Sequence, residues 1–280
     1  MLSHEIIIID QIPNRIKERI INKAINYALL SISFTYNRMD IKQLSARIQN
    51  ITKGKIAELI FQIFMTENKL DVNFSSCQTP FYLPDKRDFL MAEYEWDIKN
   101  NFVRKEKQPT KEELLELPAL IPNRSFEKSN WQDQWAKREK MIHATSQGVR
   151  FVFTFMQRPK HKDFIEVNIH QGLQKFYEDI KNQHPLFNRE KPPFTESWFW
   201  NEMSKVNFPT YELHHDLNLM ITAWAGAEHY KYFFDTENDN FNNLIYTKIK
   251  NKTIKIHWLP SFSSLFPRLT KDMKYGRFMS

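Results

Sequence analysis

Apolar residues recur along this chain first at helical and then at strand spacing. Residues 6–9 form a four-isoleucine run that predicts a short strand, ended by Pro13. Over residues 14–30 one stripe carries Ile16, Ile20, Ala24, Tyr27 and Ala28, with Arg15, Lys17, Glu18 and Lys23 off it, which predicts an amphipathic helix. Asp40 is a candidate N-cap for a second helix to about Gln49, and Thr52 for a third over residues 52–68. That third helix is apolar over a wide arc, through Ile56, Ala57, Leu59, Ile60, Ile63 and Phe64. Glu58 sits inside the arc, where a carboxylate is costly without a partner; Lys55, one turn earlier, offers one.

The pattern then changes period. Residues 71–76 read as a strand, Pro80 and Pro84 as a loop, and residues 84–101 as two strands folded back on each other. Alternate strand residues share a face, so Asp97 and Lys99 point one way with Glu95, while Trp96 and Ile98 point into a core. A reversal at Ala92–Glu93 sets Asp88 opposite Asp97 and Phe89 opposite Trp96, although Ala-Glu is not a favoured two-residue turn.

Residues 108–117 have helical spacing up to Pro118, and residues 119–121 suggest a strand. Residues 149–156, VRFVFTFM, predict a strand buried on both faces, and residues 170–182 an amphipathic helix. A strand and helix after the hairpin give an α/β order. Further on, residues 217–224 read as a strand and residues 230–235 as a strand or helix. Residues 244–258 read as a hairpin turning at Asn251-Lys252, with Lys248, Lys250, Lys252 and Lys255 forming a basic ribbon, more often a solvated face than a phosphate contact.

Composition narrows the class. The chain has 280 residues, 41% hydrophobic and 14% aromatic with 5 Gly, enough for a real core and too few glycines for a phosphate-cradling loop. Length suits a single domain over residues 1–280: a core at about 50–183, a helical N-terminal region over 1–49 and a C-terminal α/β elaboration over 184–280. The net charge of +7 favours a polyanionic partner without proving one. The single cysteine, Cys77, excludes an intrachain disulfide or a cysteine zinc site, and no apolar run is long enough to span a membrane, so a soluble cytoplasmic protein is expected. His214, His215 and Asp216 do not make a convincing metal set, because adjacent strand residues point apart, and Trp198-Phe199-Trp200 is more often core than a base-stacking platform.

Two carboxylates beside a lysine suit metal-assisted cleavage of a phosphodiester. Hard oxygen ligands favour Mg²⁺, which keeps several of its waters. Asp88 and Asp97 supply carboxylates, Ile98 a backbone carbonyl, and Lys99 a cation beside the reacting phosphate; Glu58 is placed to hold a second metal's water or Lys99.

The order Gly54-Lys55-Ile56-Ala57-Glu58, then Asp88-Phe89, then Asp97-Ile98-Lys99 resembles the core of the PD-(D/E)xK nuclease superfamily, in the D-x-K form common among type II restriction endonucleases. The likeness covers about residues 53–101. Pro84-Asp85 spells the family's first dipeptide, so Asp85 competes with Asp88 for the first metal position; strand geometry favours Asp88. The resemblance implies a restriction-endonuclease-like α/β core, a mixed central sheet flanked by helices, with extra helical N-terminal and mixed C-terminal elements. It further implies a Mg²⁺-dependent endonuclease cutting double-stranded DNA at a specific sequence, acting as a homodimer. The alternatives are a repair, recombination or phage-defence nuclease with the same core, or a nucleic-acid-binding protein without catalysis. Residues 123–140 and 187–209 are the candidate DNA-contacting segments.

Overall fold

In a computed structural model of the chain, residues 1–33, 43–78, 87–105, 107–122, 149–157, 163–166, 193, 197–205, 210–213, 217–236, 240–241, 243–247 and 251–266 are described. Asp40, Asp85, Lys248, Lys250, His214, His215, Asp216, residues 123–140 and the helix expected at 170–182 lie outside them, as does most of 187–209.

Strand β1 (Ile7–Ile9) leads into helix α1 (Asn14–Ile32), whose buried stripe includes Ile20, Ala24, Ile25 and Ala28. Helix α2 runs unbroken from Leu44 to Glu67. It merges the second and third helices expected from the sequence, and Thr52 caps nothing: it is fully buried in mid-helix, with no hydrogen-bond partner for its hydroxyl among the described residues. Packing on both sides of α2 overrides the local preference of threonine for a helix end.

The strand expected at 71–76 is a single bridge. Asn73 and Leu90 exchange backbone hydrogen bonds of 2.8 Å in both directions. The Asn73 side-chain oxygen then accepts from the Ser76 N–H at 3.1 Å, bending the chain into a 3₁₀ turn at Ser75–Cys77. That local bond competes with a strand ladder.

Strands β2 (Phe89–Met91) and β3 (Tyr94–Val103) form the hairpin in the expected register, with Phe89 opposite Trp96 and Met91 opposite Tyr94. The turn residues Ala92 and Glu93 have φ of 49° and 65°. Both lie in the left-handed region, the geometry of a type I′ turn, whose twist matches that of the strands. Phe89 and Trp96 stack with centroids 5.8 Å apart and are fully buried.

After helix α3 (Lys111–Glu116), capped by Thr110 through the Glu113 N–H, come β4 (Pro118–Pro122) and the apolar strand β5 (Arg150–Gln157). Strand β5 pairs parallel with β3 and antiparallel with β8 (Leu219–Ala225). The result is a five-stranded mixed sheet of order β1-β8-β5-β3-β2, taking strands from three distant parts of the chain. Its two faces follow from strand parity. Trp96, Val152, Met156 and Ile221 face a core shared with α1 and α2, while Val103, Phe151, Phe153 and Met220 face a second core.

That second core lies under a three-stranded sheet of order β4-β12-β9, where β9 is Phe234–Thr236 and β12 is Asn251–Lys255. The hairpin expected at 244–258 does not form. Strand β12 pairs with β4 and β9 on its two sides, and β11 (Ile245–Tyr246) pairs with β10 (Asn240–Phe241). Burial of Thr253 and Ile254 against distant strands outcompetes the local turn. The basic ribbon is neutralised where described: Lys252 meets Asp235 at 3.0 Å and Lys255 meets Glu116 at 2.8 Å. Strands β6 (Asp163–Glu166) and β7 (Thr210–Leu213) pair antiparallel with each other, and a short helix at Ser197–Met203 docks on α2. In that helix Phe199 is buried and Trp198 exposed, so its aromatics mostly pack. Among the described residues no helix is long and apolar enough to cross a membrane.

Candidate active site

The hairpin and α2 bring four sequence-predicted residues into one neighbourhood. Asp88 stands one residue before the β2 ladder, its N–H donating to the Trp96 carbonyl at 2.9 Å. Its carboxylate reaches past the end of β2 and accepts from the Ile98 N–H at 2.5 Å. A strand residue sends its N–H and C=O to the same edge, so the Ile98 carbonyl also faces the edge where Asp88 stands, beyond the last rung of β2.

Asp97 and Lys99 share the other face of β3, as parity requires. The Lys99 ammonium donates to both Asp97 carboxylate oxygens at 2.8 Å, and both side chains are nearly buried, at 13% and 12% exposed. The ammonium also lies 5.4 Å from the centroid of Phe151, a low-dielectric wall on one side of the pair. Glu58 on α2 is held by Lys55 at 2.5 Å, the partner expected from the sequence, and Lys55 in turn lies over the Tyr27 ring at 4.5 Å.

These groups act on one another through their charges. Burial pushes the Asp88 carboxyl well above the usual carboxylate range, and the nearby charges of Glu58 and Asp97 push it further. The Ile98 N–H and Lys99 oppose this and do not overcome it. Asp88 therefore has a surplus of negative neighbours, which a bound proton or a metal cation relieves. Cys77, nearby, has its thiol raised by burial and by the Glu95 and Asp88 charges, which makes it a poor nucleophile.

The donors here are hard oxygens: the carboxylates of Asp88, Asp97 and Glu58, and the Ile98 carbonyl. They suit Mg²⁺ rather than a thiolate-loving metal. As placed, each carboxylate has its own partner, and among the described residues no three His, Cys, Asp or Glu side chains are grouped closely enough to hold a metal ion.

One group of residues near the start of β3, on the sheet face opposite Asp97 and Lys99, was missed from sequence. Arg150, in register with Trp96 on the neighbouring strand, has its guanidinium carbon 3.5 Å from the centroid of Tyr94, 5.5 Å from that of Trp96 and 4.9 Å from that of Trp224. An arginine opening an otherwise apolar strand, RFVFTFM, was the available signal. Comparison with protein families, curated proteins and solved structures finds no match to this chain.

Proposed function

We propose that the protein is a metal-dependent nuclease that hydrolyses phosphodiester bonds of DNA, with a restriction-endonuclease-like core of the PD-(D/E)xK kind. The observation that carries the reading is the Asp88 carboxyl, half-buried at the end of β2 and crowded by the charges of Glu58 and Asp97, with Lys99 seated on Asp97. Asp88, Asp97, Glu58 and the Ile98 carbonyl would hold Mg²⁺, which when bound polarises the phosphate and makes its coordinated water more acidic. Asp88 is oriented for this by the Ile98 N–H, which fixes one oxygen and leaves the other to a ligand. Lys99 offers three donors from a nearly buried position, so it orients Asp97 and stabilises charge gathering on the phosphate oxygens. Lys55 pairs with Glu58 at 2.5 Å against the apolar arc of α2.

Restriction of double-stranded DNA at a specific sequence, by a two-fold homodimer, is the favoured role within this class. A repair or phage-defence nuclease shares the same chemistry. The rival reading, a nucleic-acid-binding protein that does not cut, draws on the internal pairing of every carboxylate.

The test is digestion of phage-sized DNA in Mg²⁺ and in EDTA by the parent, Asp97→Asn and Lys99→Ala. The parent is expected to cut only in Mg²⁺, and each variant to lose about 100-fold or more, as when a charge-stabilising group is removed. A variant that cuts as well as the parent refutes the site. Absence of Mg²⁺-dependent cutting across many substrates favours the binding reading. Discrete fragments mark a sequence-specific enzyme, a smear a nonspecific one.

A further inference from the structure

One ammonium ties the site's helical carboxylate to a second helix. The Lys55 ammonium donates to a Glu58 oxygen at 2.5 Å and also lies 4.5 Å from the centroid of the Tyr27 ring. Lys55 and Glu58 stand on α2 and Tyr27 on α1, so the contact crosses from one helix to the other. The Lys55 and Glu58 side chains are 23% and 26% exposed, and Tyr27 is half-buried. Water is largely excluded from both contacts, which strengthens an ammonium on an aromatic face as well as an ion pair.

The ring gives the pair a direction that it lacks alone. Lysine precedes glutamate here, the order that a helix favours less. The lysine stem is flexible and its ammonium donors rotate, so the ion pair by itself fixes neither partner closely. A ring on the neighbouring helix restricts where the ammonium stands, and the ammonium in turn restricts Glu58. That restriction reaches the site, because Glu58 is close enough to Asp88 for its charge to act there ahead of that of Asp97. A carboxylate already held in place binds a metal ion more tightly than one that must first be ordered, and partners that orient metal ligands change affinity by about 10–100-fold.

We infer that Tyr27 is a positioning residue for the metal site: its ring seats Lys55, and the seated ammonium fixes the Glu58 carboxylate beside Asp88. The role rests on the metal-dependent reading, in which Glu58 helps to hold Mg²⁺. Tyr27 is uncharged, so replacing it leaves the charge of the site unchanged. Lys55 without its seat remains one turn from Glu58 on α2 and still attracts it. What is lost is the fixed direction of Glu58, and the loss falls on metal affinity rather than on the chemical step.

The test uses the whole chain with ¹³C-labelled lysine, in which Lys55→Arg assigns the Lys55 ε-methylene resonance. That resonance is expected to lie upfield of the other lysines in the parent and in Tyr27→Phe, which keeps the ring. It should fall back among them in Tyr27→Leu, or in Tyr27→Met should the leucine variant fail to fold. A parent without the upfield shift overturns the seat. Mg²⁺ is then titrated by calorimetry in the absence of DNA. Tyr27→Phe is expected to bind as the parent does, and Tyr27→Leu about three- to tenfold more weakly, less than on loss of a direct partner because the ring acts through Lys55. In DNA cutting, the half-saturating Mg²⁺ concentration should rise by the same factor while the rate at saturating Mg²⁺ holds; a purely structural role would shift the melting temperature and leave the affinity of the folded protein unchanged. Unchanged Mg²⁺ affinity in Tyr27→Leu, or an equal loss in Tyr27→Phe, overturns the positioning role and leaves the metal reading in place. A parent that takes up no Mg²⁺ overturns the metal reading, and the role of Tyr27 with it. A parent that binds Mg²⁺ with the expected variant effects and cuts no DNA upholds the role of Tyr27 and removes the nuclease reading.

Discussion

Asp88 combines a structural role with a functional cost. Its oxygen satisfies the Ile98 N–H beyond the end of β2, yet burial and two neighbouring carboxylates oppose its ionisation. The folded protein therefore holds the Asp88 proton more tightly than the unfolded chain, whose value is about 4. Folding then takes up a proton between the two pKa values. This group's contribution to stability declines as pH rises from about 4 through the folded value, and is constant above it. Asp88→Asn keeps an acceptor for the Ile98 N–H and removes the charge, so it is expected to stabilise the fold at neutral pH by about 1 kcal/mol, of the size seen when a functional site is relaxed. The gain should vanish below pH 4, while Mg²⁺-dependent cutting falls. Thermal melts of parent and variant from pH 3 to pH 8 measure it; a constant difference across that range refutes the charge argument. Asp97, Lys99 and Glu58 were legible because strand parity and the helical arc fix their directions locally. Arg150 and Trp224 were not, because β5 and β8, strands well separated in the chain, bring them together, a pairing that no local pattern encodes.

At the scale of elements, the hairpin was readable and its neighbours less so. Alternation and the pairing of Phe89 with Trp96 set the register, although the turn residues oppose it. Ala92 and Glu93 both hold φ > 0, which costs roughly 1–2 kcal/mol for each non-glycine residue. The stacked Phe89, Trp96 and Phe61 side chains, with centroids 5.2–5.8 Å apart, hold the turn in place. Replacing the pair by the favoured sequence, Ala92→Asn with Glu93→Gly, is expected to raise the urea midpoint by the equivalent of about 1–2 kcal/mol with an unchanged slope. A fall in the midpoint would show that the turn has another geometry. Helix α2 offers a second test. Gly54 lies in mid-helix with open space where a Cβ would stand, so Gly54→Ala is expected to stabilise by about 0.5–1 kcal/mol. Loss of DNA binding in an otherwise stabilised Gly54→Ala protein would show that the space is used by the substrate. The expected split of residues 44–67 into two helices and the expected hairpin at 244–258, neither of which forms, fail for one cause. Threonine at position 52 and Asn251-Lys252 carry local end and turn signals, and burial against distant partners outweighs them.

Across the molecule, the central sheet is covered on both faces: helices over Trp96 and Val152, and the β4-β12-β9 sheet over Phe151 and Phe153. Both faces use the same strands, β3, β5 and β8, so loss of one core would expose strands on which the other is built. The chain's beginning is tied to its later part as well. The Met1 amino group donates to the His257 carbonyl at 3.2 Å, Ser261 donates to Glu5 at 2.9 Å, and β1 pairs with β8. The sequence reading set residues 1–49 and 184–280 apart from a core at 50–183, whereas the sheet draws on all three. The two layers are therefore expected to unfold together. In native-state hydrogen exchange, amides of α2 near Ile60 and of β12 near Ile254 should share one opening free energy, equal to that of global unfolding. If the β12 amides exchanged from an opening several kcal/mol cheaper, with α2 still protected, the outer sheet would be a separable layer. Asp97 and Lys99, which share the Phe151 face it covers, would then owe their burial to a layer able to lift away.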